Sequence, residues 1–155
     1  DLGVVPPRKI TDRAIDICRS ERPNKTIIHY LQPHTPYIGA ENPPKNALQK
    51  LQAGEISKTE VWELYLDTLR LVLDEVEILL ENTDAETVAI TADHGEAMGE
   101  WGAHSHNIGF PHPVVRKVPW VTTSAINKGT YEPSLEPDAT LKPDTQAQLE
   151  DLGYL

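Results

Sequence analysis

The sequence predicts an α/β fold built on a mostly parallel sheet. Three observations carry that expectation. "KTIIHYLQ", residues 25–32, is a β-branched and aromatic run bounded by prolines, the pattern of a buried strand. Ser57 and Glu60 stand at capping-box spacing, and behind them Val61, Tyr65, Leu69, Val72, Val76 and Leu79 recur at three- and four-residue steps, mostly four. "ETVAITAD", residues 86–93, is a second apolar run. Strand, long helix and strand in that order form a βαβ unit, a parallel pair joined by a right-handed crossover and covered by helices.

The remaining elements follow from local signals. Residues 1–10, with Pro6-Pro7, read as a linker. "TDRAIDICRSER" reads as a short helix capped by Thr11 or Asp12 and stopped by Arg22-Pro23. "PHTPYIGAENPPKNALQKLQAG", residues 33–54, reads as a long proline-rich loop, and such loops in compact domains usually carry function. The amphipathic helix runs from Ser57 to about Asn82, and "RKVPWVTTS", residues 116–124, is a third strand. From Ala125 the chain is rich in Pro, Asp and Glu, has little periodicity, and closes with "TQAQLEDLGYL". Residues 1–124 are therefore expected to form the domain, and 125–155 a tail that packs on it or trails it.

Bulk composition excludes several classes. The 155 residues suffice for a real core. Lys and Arg total 14 against 24 Asp and Glu, and a net charge of −10 repels nucleic acid and anionic lipid. Cys18 is the only cysteine, which excludes an internal disulfide and a cysteine-based zinc site. No apolar run approaches the ~18 residues of a membrane span. The opening "DLGVVPPRKI" has no initiating methionine, basic n-region or apolar h-region, so no signal peptide is expected and the cytoplasm is favoured. The same opening reads as a chain that begins in the middle of something.

In parallel sheets, ligands sit at the carboxyl ends of the strands. Pro33-His34 follows the first strand and Asp93-His94 ends the second, so two motifs about 60 residues apart should meet on one sheet edge. Within "TADHGEAMGEWGAHSHN", residues 91–107, Asp93 offers a hard oxygen and His94 an imidazole, a mixture suited to Zn, Mn, Fe, Ca or Mg. Gly95 permits a sharp turn, so both side chains can address one ion. The same triplet also reads as a strand-to-helix turn with Asp93 as N-cap. His34 is aimed by its flanking prolines and, when protonated, would donate to sulfate or phosphate; the alternative is a loop histidine bonded to a carbonyl. His106 could donate to the same anion. His104 is a ligand, a partner of a ligand or exposed, and the last is preferred. Glu96 caps a following helix or bonds His94. His29 is expected in the core or behind a ligand, His112 as structural or exposed, and Trp62, Trp101 and Trp120 as packing residues.

"IIHYLQPHTPYIG", "LYLDTLRLVLDEVEILLENTDAETVAITADHGEAMGEWG", "HPVVRKVPWV" and "LGYL" together resemble the C-terminal part of a sulfatase of the alkaline phosphatase superfamily. The detail resembles archaeal sulfatase-like proteins, with which the acidity agrees. The resemblance spans about Val4 to Leu155. It implies part of a three-layer α/β/α sandwich whose N-terminal half is missing, so that residues 1–124 would be the C-terminal part of the catalytic domain. It further implies that Asp93 and His94 ligate a divalent metal (Ca, Mg, Mn or Zn), and that His34 and His106 contact the oxygens of a sulfate or phosphate ester. His106 falls where many relatives place a lysine, and Trp101 where they often have a histidine, so no role carries over to Trp101. The family's nucleophile and remaining metal carboxylates belong to the missing half. "CRSER" departs from the family's Cys-x-Pro-x-Arg at Ser20, so Cys18 is expected to be a small core residue. The function implied is that of a metal-dependent sulfuric ester hydrolase lacking its nucleophile in this chain. The alternatives are phosphoryl or phosphonate ester chemistry, and a non-catalytic remnant or metal-binding module.

Overall fold

The structure, a computed structural model, describes residues 4–135. Helix α1 (Pro7–Ser20) starts earlier than expected, because Pro7 occupies the first helical turn, where its absent N–H is no loss and its fixed φ suits the helix. Thr11 and Asp12, expected as caps, are buried inside it. The Thr11 hydroxyl instead meets the Tyr30 hydroxyl at 2.9 Å, and Asp12 accepts from the Tyr131 hydroxyl at 2.5 Å. The presumed loop 33–54 contains a short helix, α2 (Ala47–Gln52).

Helix α3 (Lys58–Asn82) matches its sequence signal. Ser57 Oγ accepts from the Glu60 N–H at 3.2 Å, and Glu60 Oε2 accepts from the Ser57 N–H at 2.7 Å, which satisfies two N–H groups that helix geometry leaves unpaired. The helix carries a core at each end. Near its start, Val61 packs with Tyr37, Ala47, Leu48 and Met98. Near its finish, Leu79 packs with Ala14 and Ile15 of α1. Each of the Val, Leu, Ile and Met side chains among them, fully buried, contributes about 1.5–3 kcal/mol.

Strand β1 (Ala85–Thr91) pairs with β4 (Trp120–Ala125), placing Ile90 opposite Val121 and Thr91 opposite Trp120. The connection between them holds a small hairpin, β2 (Ala97–Met98) with β3 (His104–Ser105), closed by a 3-10 turn at Glu100–Gly102. It also holds one helical turn, α4 (Pro113–Arg116), which takes the first residue of the expected third strand. Both strand pairs are antiparallel, so the described residues do not form the mostly parallel sheet expected from the βαβ pattern. Residues 25–32 take no place in a ladder, and Ile27 is 96% exposed. A β-branched run states a local preference, whereas a strand also needs a neighbouring backbone; here β4 has paired with β1 without a crossover helix. Of the expected tail, 126–135 forms no regular element, and "TQAQLEDLGYL" lies outside the described residues. No helix among the described residues is long and apolar enough to cross a membrane.

Candidate metal and anion site

The loop after Gln32 is held at two points. Tyr37 is fully buried in the first core, and Gly39 lies directly on α3. A Cβ on Gly39 would stand 2.4 Å from the Asp67 carbonyl carbon, so only glycine lets the loop approach so closely. The Gly39 N–H donates to Thr68 Oγ1 at 3.2 Å. His34 is thereby carried on an anchored loop. Its Nδ1 lies 2.7 Å from the Thr35 carbonyl oxygen. That oxygen only accepts, so Nδ1 holds the proton and Nε2 of the neutral ring presents its lone pair.

The second limb leaves β1 through Asp93, His94 and Gly95. Gly95 is required here for close approach rather than for the sharp turn expected: a Cβ would stand 2.0 Å from the Val114 carbonyl oxygen. Its N–H donates to the Val115 carbonyl at 3.1 Å, which ties the limb to α4. No helix follows, so Asp93 is not an N-cap; Asp93 Oδ1 accepts from the His94 N–H at 2.9 Å, and Oδ2 lies 3.5 Å from His94 Nε2. His94 Nδ1 lies 3.0 Å from the Gly95 carbonyl, which again can only accept.

The two limbs meet. The His34 and His106 ring centroids are 5.4 Å apart, and those of His94 and His106 are 4.1 Å apart. His34 and His94 thus each come close to His106, and a loop docked on α3 and a hairpin after β1 bring them there, not the single edge of a parallel sheet that the sequence led us to expect. Glu96 was expected to cap a helix or bond His94. It bonds His106 instead, with Nδ1 at 3.2 and 3.3 Å from its two carboxylate oxygens. The Glu96 side chain is only 8% exposed. Its negative charge is felt nearby: burial first, and then the Glu96 charge, push the Tyr37 and Tyr65 phenols above their ordinary range. Among the described residues, His34, Glu96 and His106 form a group whose potential ligand atoms all lie within 4.8 Å of one another; Asp93 and His94 are not part of it.

His104, on β3, is not simply exposed. Its Nδ1 is buried without a hydrogen-bond partner, and the ring lines a cleft of about 240 Å³ with His34, Thr35, Gln49, Gln52 and Ser105. The α2 glutamines were missed by reading 33–54 as loop, although "NALQKLQ" is a run of good helix formers. His29, expected in the core, is exposed because its segment joins no sheet. His112 is structural: its Nδ1 accepts from the Val114 N–H at 3.1 Å and caps α4. Trp101 is exposed, with edge contacts to Phe110 and His112. Cys18 is half-buried on α1 and is not among the cleft residues.

Comparison of the chain with protein-family models, curated proteins and solved structures finds no match in any of the three. Function is therefore argued from the residues and their geometry.

Proposed function

We propose that the chain provides the metal- and anion-binding face of a metal-dependent sulfuric ester hydrolase, within the larger three-layer α/β/α sandwich that its motifs resemble. The observation that carries this reading is the convergence of His34, His94 and His106 from two limbs far apart in sequence. Three imidazoles beside an exposed aspartate give both nitrogen and oxygen ligands for a divalent cation and N–H donors for an oxyanion. Asp93 and His94 are the ligands that the resemblance implies, for Ca, Mg, Mn or Zn. Such an ion, when bound, offsets the negative charge that builds on the transferred group. His34 and His106, when protonated, donate to the ester's equatorial oxygens, and the anchored loop keeps His34 oriented before the ester arrives. Glu96 holds the His106 ring in place through Nδ1.

The cleft offers the hydroxyls of Thr35 and Ser105 but no cysteine. The attacking group in this reading therefore comes from outside the described residues. A specific observation favours one further reading: with no nucleophile assigned at the cluster, the chain by itself would be a binding module without turnover. Sulfate and phosphate esters share the tetrahedral, anionic shape that imidazoles recognise, so phosphoryl or phosphonate chemistry is the alternative.

The test is an assay of the protein expressed from its full reading frame, with added divalent metal, on aryl sulfate and aryl phosphate. Aryl sulfate turnover is expected, and His34→Ala or His106→Ala should lower it by about 100-fold or more. Faster turnover of the phosphate would move the assignment to phosphoryl chemistry. No turnover of either would leave the binding module.

A further inference from the structure

Glu96 poses an electrostatic problem. Its carboxylate is nearly buried and lies close enough to Tyr37 and Tyr65 of the first core to act on their phenols. A buried carboxylate needs a cation or several donors to offset its lost hydration. The Tyr37 hydroxyl is buried without a partner and does not donate to it. Lys58, which reaches the hairpin from α3, is engaged by Glu100. The partner that Glu96 has is one imidazole nitrogen, His106 Nδ1.

The geometry suits an ion in that position. A tetrahedral cation with ligand bonds of about 2.0–2.2 Å spaces its ligand atoms roughly 3.3–3.6 Å apart. Glu96 and His106 already stand at 3.2 and 3.3 Å, so a cation can replace the shared proton with little movement. His34 completes the group within 4.8 Å. Its Nδ1 is committed to the Thr35 carbonyl, which fixes the tautomer and frees Nε2, the usual arrangement of a metal-binding histidine. The His34 and His106 rings meet edge-on at 61°, so they are not stacked face to face. Two imidazoles and one carboxylate suit a borderline-soft ion of the zinc class; calcium and magnesium call for more oxygen ligands.

We propose that His34, Glu96 and His106 bind a zinc-class cation and leave one coordination position open toward the cleft that His34 also lines. A sulfate or phosphate oxygen would take that position, so with the ion bound His34 and His106 would hold the ester through it, in place of donating to the ester directly. The binding step rests on the cluster itself and not on the hydrolase reading. Asp93 and His94, paired with each other, are not required for it.

Calorimetric titration of the metal-free full chain with Zn²⁺ at about pH 7.5 tests the site directly. A parallel titration with Co²⁺ reports coordination by visible absorption. One tight equivalent is expected, with the intense Co²⁺ bands of a four- or five-coordinate site. Glu96→Gln, His34→Ala and His106→Ala should each weaken Zn²⁺ binding by about tenfold or more, while His29→Ala, at an exposed histidine outside the group, should match the unmodified chain. Melting followed by circular dichroism checks folding, and His34→Ala, on a loop, keeps the test open should Glu96→Gln fail to fold. Absence of Zn²⁺ binding, undiminished binding in both Glu96→Gln and His34→Ala, or an equal loss in His29→Ala would overturn the assignment. No ester is present in these titrations, so ion binding without ester turnover would count against the hydrolase alone.

Discussion

Glu100 clips the site hairpin to the first turn of α3. It accepts from the Met98 N–H at 2.7 Å and from the Lys58 ammonium. Burial opposes its ionisation, but the Lys58 and Met98 donors outweigh burial and pull its pKa from 4.5 to about 2. Glu60, held by the Ser57 hydroxyl and N–H, is lowered in the same direction. A carboxyl whose pKa is depressed on folding contributes stability above its unfolded value of 4.5, and that contribution is lost as pH falls toward about 2. Glu100→Gln should therefore cost roughly 1 kcal/mol at neutral pH, after allowing for solvent screening at the exposed Lys58. In thermal melts the gap between variant and parent should narrow below pH 4.5; a gap that stays constant or widens would mean that the clip is not electrostatic. At this scale the sequence was informative where residue type and flanks were unusual. His34 among prolines and Asp93-His94 before glycine marked the site. Glu96 was singled out as a helix cap or a partner of His94; its pairing with His106 and its burial come from tertiary packing that the sequence does not display.

Elements were legible where their signals are local. The capping box and the three- and four-residue repeat of α3 lie within one segment, and the helix runs over the residues they mark. Ser57→Ala should cost about 1 kcal/mol, read as a lower urea midpoint at unchanged slope; an unchanged midpoint would show that the capping bonds add nothing net. Strands were less legible, because a strand depends on its partner. The run 25–32 has strand composition and no ladder, while 85–91 has a ladder whose direction its own residues do not specify. The start of α1 was misplaced because Thr11 and Asp12 resemble caps, whereas Pro6-Pro7, read as linker, supplies the actual entry. The loop prolines were read as orienting His34, but the loop is also anchored by Tyr37 and Gly39, whose roles exist only once α3 is beneath them.

At the scale of the whole molecule, the described residues are organised as two small cores joined by α3. Val61 and Leu79 serve different clusters and lie roughly 27 Å apart along the helix axis. Leu79→Ala should cost about 2–5 kcal/mol, and combining it with Val61→Ala should give the sum of the single losses within about 0.5 kcal/mol. Denaturant melts of the two singles and the double decide it; a larger discrepancy would mean that the cores are coupled through more than the helix. The helix also fixes rotational phase. Each residue advances the chain by about 100° around the axis, so Val61 faces the site-bearing core and Leu79 faces α1 only while the residues between them keep their number. One residue inserted between Thr68 and Val72 would turn one end by about 100° against the other, and one of the two cores would lose its face. Seven inserted residues would nearly restore the phase, within about 20°, while parting the cores by roughly 10 Å. The spacing along α3 thus acts as a key as well as a ruler, and it sets which side of the molecule the His34 loop can reach.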